Sequence, residues 1–323
     1  MRQEYPSEYK QGGSEATFMW YFYALLGPMI WAFLNHLDKY LLGRFFNENP
    51  AGSVLVVFTG FAGLIISIAI LLYGPSVFTL APWQACSVMG AGVLLVASYI
   101  PYMVAMQHAE ASIVASLYRL SPLFVFVLSY FALGESLQPK QILGGLVTIV
   151  GSVSLIVDFN KGRHGLNLST FILMCTACLM NACTVVIFKI VALGASFWSS
   201  AFWEYIGSGL FSATLLCMAP SYRRALAAVL RTRQAYVLVP ITLAGEALNL
   251  LANLAVGFAG LMAPLALVSI VTGLHPLFVL AYGTVFTLFF PAFGRERLTR
   301  HHLLQKIVAI GVMTAGIVVT FSG

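Results

Sequence analysis

Six ionisable side chains lie inside stretches of the sequence that are otherwise almost wholly apolar. The three acids and three bases are Asp38, Lys39, Arg119, Lys189, Glu204 and Glu246. A charge near the middle of a membrane helix costs about 2.5 to 3.5 kcal/mol on insertion scales, so such groups pair or face a watery cavity. A base in a cavity can bind a carboxylate or phosphate, and a buried carboxyl group can take up and release a proton. These residues are therefore candidates for solute binding and proton coupling.

Arg119 stands three residues before Pro122, too deep in its apolar run for its side chain to reach the membrane interface easily. Its planar guanidinium group could clamp a substrate carboxylate or phosphate. A structural ion pair with Asp38 or Glu204 is the alternative, and the sequence leaves both open.

Three tyrosines are placed to contact a solute near Arg119. Tyr118 adjoins it, and Tyr99 and Tyr102 belong to the preceding apolar run. Their rings could stack on a solute and their hydroxyl groups could bind it. Anchoring at the lipid interface is the alternative for each of them.

Glu246 is followed at three and seven residues by Asn249 and Asn253, so the three side chains share one face of a helix. Such a stripe would be costly against lipid, and we expect it to face the cavity. It forms either a structural hydrogen-bond network or a site for a proton and the substrate.

Glu204 and His275 are isolated polar residues in apolar surroundings. Glu204 could form an ion pair with Lys189 across the short turn between their two runs, or it could be a proton-coupling acid. His275 directly precedes Pro276 and could contact the solute, although hydrogen-bonded packing is the commoner role of such a histidine.

A polar cluster closes the first apolar run in "WAFLNHLDKYLLG", where Asn35, Asp38 and Lys39 fall on one side of a helix. Lys39 either extends to the membrane interface or helps to bind the solute. Asp38 is too short to extend in this way, so it partners a buried base or belongs to the transport path. Asn35 joins the predicted binding site.

The composition identifies the setting of these residues. Hydrophobic residues make up 60% of the chain and charged residues 9%, with a mean hydropathy of +0.90, whereas soluble domains are about one quarter charged. The apolar runs have the length of a membrane-crossing helix and lack the alternation of a membrane β-barrel. The sequence predicts an all-α integral membrane protein with ten transmembrane helices. The expected spans are 18–43, 53–73, 83–106, 111–133, 140–157, 167–191, 196–218, 235–257, 262–290 and 303–321.

The chain contains two related halves. Residues 109–130 align without a gap with residues 263–284, and the alignment pairs Pro122 with Pro276. Each proline lacks an N–H group and should kink the fourth helix of its half. Lys39 and Lys189 likewise fall near the end of the first run of each half. Two halves of five helices enter the membrane in opposite directions, which predicts inverted repeats around a central site.

These segments resemble EamA-type members of the drug/metabolite transporter superfamily. The resemblance rests on "GPMIWAFLNHLDKYLL", on "LVSIVTGLHPLFVLAYG" and above all on "LGESLQPKQILGG", where Gly134 could cap the fourth helix and Pro139 begin the fifth. It implies a ten-helix carrier that moves small organic solutes by alternating access, often as an exporter or antiporter. The expected organisation is a flexible tail at 1–17, an EamA-like repeat at 18–158, a connector at 159–166 and a second repeat at 167–323.

Two arguments about orientation disagree. Of the 17 lysines and arginines, 11 fall in or beside the connectors after the odd-numbered spans, and the positive-inside rule then places both termini outside the cytosol. The resembled family is usually drawn with both termini in the cytosol. With either orientation we expect a multi-pass protein of the bacterial inner (plasma) membrane.

The leading hypothesis is a secondary carrier whose cavity is lined by the first, third, fourth, sixth, eighth and ninth helices. The candidate bases favour a solute with a carboxylate or phosphate, such as an amino acid, moved by proton coupling or exchange. The alternative is a translocase for a phosphorylated or lipid-linked headgroup. An intramembrane enzyme is disfavoured, because the sequence has no HExxH, no GxSxG and no paired aspartates. The sequence also has no nucleotide-binding loop, so we expect that ATP does not drive the protein directly. We expect no cofactor and no metal; the expected partners are a small solute, membrane lipids and at most a second copy of the chain, with no nucleic acid.

Overall fold

The structure is a computed structural model that describes residues 13–45, 51–74, 76–108, 114, 117–118, 120–156, 168–233, 235–289 and 300–321. Over these ranges all of the regular secondary structure is helical. The predicted all-α class is confirmed for this part of the chain.

Twelve helices are described, five in the first half of the sequence and seven in the second. The first five are α1 (Gly13–Phe45), α2 (Ala51–Tyr73), α3 (Pro82–His108), α4 (Ser121–Leu133) and α5 (Pro139–Ile156). The others are α6 (Leu168–Leu193), α7 (Phe197–Met218), α8 (Pro220–Arg231), α9 (Ala235–Met262), α10 (Leu265–Thr272), α11 (His275–Phe289) and α12 (Arg300–Phe321). Since α1 begins at Gly13, residues 13–17 are helical, although the sequence analysis assigned them to a flexible tail.

Five segments of the described chain are long and apolar enough to cross a membrane, and they are Val54–Tyr73, Pro82–Ala105, Leu168–Leu193, Ala235–Met262 and Leu265–Phe289. Two shorter apolar helices are Ser121–Leu133 and Gly311–Thr320. The helices α1 and α7 are less apolar, because α1 carries Asn35 and His36 and α7 carries Glu204 among several serines. The chain is thus a multi-pass membrane protein by length and composition.

The expected ninth span is interrupted. The helices α10 and α11 replace the single helix expected at 262–290, and Gly273 and Leu274 form a turn between them. Pro276 explains the interruption, since it has no N–H group to donate to the carbonyl of Thr272. In the first half Pro122 also lies in the first turn of a helix, because α4 begins at Ser121.

The connector between the seventh and eighth expected spans contains a helix that the sequence analysis missed. In α8 the buried residues Ala225 and Val229 pack against a cluster that includes Val54 and Leu238. The arginines of α8 are exposed. Apolar residues on one face and arginines on the other are typical of a helix that lies along a membrane surface.

The end of α4 follows the prediction made from "LGESLQP". Gly134 adopts a left-handed conformation with φ 67° and its N–H donates to the Tyr130 oxygen at 3.1 Å. Pro139 is the first residue of α5, and the Gln141 side chain accepts a hydrogen bond from the Gln138 N–H at 2.9 Å. Both expectations for this turn are confirmed, and the turn holds Glu135 close to the bundle.

The helices α3 and α7 cross with their backbones in contact. A Cβ atom added at Gly92 would overlap the backbone oxygen of Glu204, and one added at Gly207 would overlap the backbone of Met89. The Ser208 hydroxyl donates to the Gly92 oxygen across the crossing at 3.0 Å. Small residues permit this approach, and the approach fixes the position of Glu204 along α3.

Candidate functional site

A cavity of about 770 Å³ lies among the helices and is lined by residues from both halves of the chain. The first, third, fourth, sixth, eighth and ninth expected spans contribute to its wall, as predicted, and α2, α5 and α7 contribute as well. The predicted site residues that line it are Asn35, Tyr99, Tyr118, Pro122, Glu204, Glu246, Asn249, Asn253 and His275. The fold therefore brings together side chains that are separated by up to 240 positions in the sequence.

Glu246 is held on the cavity wall by donors from two helices. Its Oε2 accepts a hydrogen bond from the Thr59 hydroxyl at 2.8 Å and one from the Asn249 amide at 3.4 Å. The Asn249 amide also donates to the Tyr99 hydroxyl at 3.1 Å. This network joins α2, α3 and α9. The sequence analysis missed Thr59, whose only signal is that it is a lone hydroxyl residue in the apolar run "VLVVFTGFAG".

Asn35 and His275 form a contact between α1 and α11, with 3.2 Å between the Asn35 Nδ2 and the His275 Nε2. A second contact of this kind joins α4 to α6, where the Ser121 hydroxyl donates to the Asn181 Oδ1 at 3.5 Å. Ser121 and His275 occupy equivalent positions, since each directly precedes the proline that aligns the halves. Asn181 was missed by the sequence analysis, because nothing in its own apolar run marks it as facing a cavity.

His36 contributes packing and does not line the cavity. Its Nε2 lies 2.9 Å from the backbone oxygen of Val279, and its ring packs edge-on against Phe286. The polar cluster of α1 is therefore divided, with Asn35 on the cavity wall and His36 buried against α11.

Glu204 is buried on α7 with 7% of its surface exposed, and it lines the cavity. The hydroxyl of the adjacent Tyr205 donates to the backbone oxygen of Leu250 at 2.8 Å and so is not available to Glu204. The predicted ion pair between Glu204 and Lys189 is wrong, because the ammonium group of Lys189 binds elsewhere.

Lys189 forms an ion pair with Glu135 of the turn between α4 and α5. Its Nζ also donates to the backbone oxygen of Ala263 at 2.9 Å, and the Glu135 Oε2 accepts from the Leu265 N–H at 2.9 Å. The side chains of Lys189 and Glu135 are 2% and 7% exposed, so the pair is largely buried. We call these four residues the latch. One of them, Leu265, also lines the cavity, as does Phe188 next to Lys189.

The latch revises the role of Lys189, which the sequence analysis placed among the solute-binding bases. Lys189 is absent from the cavity wall, and its charge is neutralised within the protein. Glu135 stood in the motif "LGESLQP", but its role depends on a partner 54 residues away, and local sequence offers no signal for that pairing.

Several predictions fall on residues that the structure does not describe. Arg119 lies outside the described residues, as do the side chains of Asp38 and Lys39 and that of Pro276. Their predicted roles remain predictions.

A second cavity, of about 870 Å³, has an almost wholly apolar lining. Ile66, Phe197, Trp198 and Phe258 belong to its wall, which α1, α2, α7 and α9 supply. Leu254 lines both cavities, so the polar site and the apolar space adjoin at this residue.

Comparisons with known proteins agree with this architecture. A solved crystal structure, described only as that of a protein, superposes with a TM-score of 0.62 at 16% identity and covers 94% of this chain and 96% of its own. That likeness concerns the fold alone. No curated protein matches the chain. Residues 18–157 match the EamA-like transporter family, nearly the range expected for the first repeat. The resemblance drawn from the sequence is therefore confirmed over residues 18–157, where the chain is similar to the EamA-like transporter family.

Proposed function

We propose that the protein is a ten-span secondary carrier in which two inverted five-helix repeats enclose the cavity and expose it alternately to the two sides of the membrane. The pairing of helices supports the repeat. The contact of α1 with α9 has its counterpart in the contact of α6 with α3, while α2 packs on α7 and α5 on α12. Exchanging the halves leaves this pattern unchanged, as expected of inverted repeats.

The polar contacts on the cavity wall also correspond to one another when the two halves are exchanged. Asn35 with His275 and Asn181 with Ser121 each join the first helix of one half to the residue before the aligned proline of the other. This pair of contacts is the single observation that carries the proposal, since it links the sequence repeat to the walls of one central cavity.

The solute is a small organic molecule bearing a carboxylate or phosphate, such as an amino acid. A cavity of about 770 Å³ suits a molecule of this size. The amide groups of Asn35 and Asn253 offer N–H donors along the wall. Arg119, by its sequence position, supplies the cationic group.

Glu246 couples transport to protons or to exchange. Its carboxylate accepts hydrogen bonds from Thr59 of the first half and Asn249 of the second. A proton on the carboxylate would weaken these bonds, because it removes the charge that the donors stabilise. Proton uptake therefore loosens a contact between the halves.

The latch keeps one end of the cavity closed in this conformation. Glu135 and Lys189 come from different halves, and their pair is largely buried. Passage of a solute through this end requires the pair to separate, so we assign Lys189 a role in closure rather than in solute binding.

Flux measurements with purified protein in liposomes test the carrier. We expect saturable uptake of at least one labelled amino acid or organic acid when a proton gradient or an internal counter-solute is imposed. Glu246→Gln should slow gradient-driven uptake more than solute exchange. Failure to move any member of a broad panel of amino acids, organic acids and phosphorylated metabolites would overturn the proposal.

The apolar cavity favours one alternative, a translocase for a phosphorylated or lipid-linked headgroup. An acyl chain would occupy the apolar cavity while the headgroup passes through the polar one, which adjoins it at Leu254. Liposomes containing a lipid with a fluorescent phosphate headgroup distinguish the two functions. Protein-dependent loss of outer-leaflet fluorescence to a quencher, without flux of soluble metabolites, would establish the translocase.

A further inference from the structure

The carboxyl group of Glu204 has an unusual environment within the described chain. The residue is more than nine-tenths buried and lines the cavity. Thr59 and Asn249 donate to Glu246, and Lys189 donates to Glu135, whereas no described residue donates to the Glu204 carboxyl group. A buried carboxylate that lacks a partner is costly, and the cost is removed by a cation or by a proton.

Glu204 cannot avoid this cost by moving toward water. The backbone of α7 meets that of α3 at Gly92, and the Ser208 hydroxyl fastens the crossing from one turn further along. The side chain is also short, and its neighbour Tyr205 is buried and bonded to Leu250. The carboxyl group is therefore presented to the cavity at a fixed depth.

The cavity that Glu204 lines contains aromatic side chains that suit a positive charge on an organic molecule. Tyr99, Tyr205 and Phe188 line the same cavity, and aromatic rings attract cations through their negative faces. An alkylammonium group also has N–H donors. A carboxylate that receives no hydrogen bond from the protein can accept hydrogen bonds from them.

We propose that Glu204 is a subsite for a protonated amine of the transported solute. This inference rests on the proposed carrier function and deepens it, because it requires the solute to carry a cationic nitrogen with at least one N–H donor. With an amine at Glu204 and an acidic group bound elsewhere in the cavity, zwitterionic solutes fit better than simple acids.

Equilibrium binding to the purified full-length protein in detergent tests the subsite. The probes are the standard amino acids and the N-acetyl derivative of each. They also include the alkylamine that remains when an amino acid loses its carboxylate, and the carboxylic acid that remains when it loses its amino group. We expect at least one amino acid and its amine to bind, and N-acetylation to weaken binding at least tenfold. Glu204→Gln should lower the binding affinity for the amine at least tenfold and leave the affinity for the corresponding acid unchanged.

Matched variants separate this subsite from a general effect of charge or folding. Glu204→Asp keeps the negative charge and should retain part of the amine affinity. Glu246→Gln removes the other described acid of the wall and should affect the amine less than Glu204→Gln does. Circular dichroism and thermal unfolding establish that each variant is folded.

Four results would overturn the inference. If N-acetylated probes bind as tightly as the free amines, or if Glu204→Gln leaves amine affinity unchanged, the amine does not bind at Glu204. If acids are bound and transported but no amine is, the inference fails and the carrier function stands. If no probe binds and none is transported, both fail.

Discussion

Glu135 and Lys189 form a buried ion pair that joins the turn after α4 to the end of α6. The pair is completed by the backbone of the segment between α9 and α10, through Ala263 and Leu265. Three separate parts of the chain therefore meet at one buried point.

Removing one member of this pair should destabilise the protein strongly. Lys189→Met leaves the Glu135 carboxylate buried without its cation, and Glu135→Gln leaves the ammonium group in the same state. Each loss is expected to cost about 3 to 5 kcal/mol. Thermal unfolding in detergent would show a lowered midpoint for both single variants.

The double variant is the control for the latch. Glu135→Gln combined with Lys189→Met removes both charges and should recover much of the stability lost in either single variant. If the three variants unfold at the temperature of the unchanged protein, the ion pair contributes nothing and does not close the bundle.

Replacing Thr59 by Val should impair proton-driven flux while the protein remains folded. The substitution keeps the size of the side chain and removes the hydroxyl that donates to Glu246. Losing one hydrogen bond costs about 1 kcal/mol, which is small for folding. Liposome flux under a proton gradient measures the effect. Thr176→Val is the matched control, since this exposed hydroxyl bonds only within its own helix; equal flux in both variants would contradict the role of Thr59.

Gly92→Ala should disrupt the crossing of α3 and α7. The added methyl group would overlap the backbone oxygen of Glu204, which is not able to move aside as a flexible side chain would. Overpacking costs about 1 to 3 kcal/mol even where side chains can adjust. Gly90→Ala is the matched control on the same helix, because nothing lies within 4 Å of its added Cβ. Unfolding midpoints should fall for Gly92→Ala alone.

The distribution of arginines predicts that α8 lies on the cytosolic side. In a chain whose five native cysteines are replaced by alanine, Arg231→Cys should resist a membrane-impermeant maleimide in intact cells and react after permeabilisation. Ser136→Cys, in the exposed turn at the latch end, should react in intact cells. The opposite labelling pattern would place both termini in the cytosol, as in the usual drawing of the resembled family.

The sequence predicted the helices better than it predicted the contacts between them. Hydrophobic length located the helices, and the chemistry of Gly134 and Pro139 located the turn between α4 and α5 correctly. The sequence predicted a kink at Pro276, whereas the structure has a break before it. How far the helix is interrupted depends on which neighbouring helices bond the backbone groups that the proline leaves unpaired. The helix α8 was missed because its twelve residues are too polar for a span and too short for a domain.

Site residues were predictable from the sequence where placing their polar side chains in a membrane costs much free energy. Glu204, Glu246 and the asparagines of α9 stand out in apolar runs, and they line the cavity. The pairing of Lys189 with Glu135, in contrast, depends on which helices are neighbours in space. Sequence proximity suggested Glu204 as the partner, and tertiary packing selected an acid from the other half of the chain.

The crossing at Gly92 has a mechanical consequence. Helix α3 belongs to the first repeat and α7 to the second, yet their backbones touch and are pinned by Ser208. Two helices in such contact have little room to slide, so under the proposed alternating access we expect α3 and α7 to move together. The boundary between moving bodies would then differ from the boundary between the sequence repeats. Glu204 lies on this helix pair, so its carboxyl group would stay at one depth while the walls around it change sides.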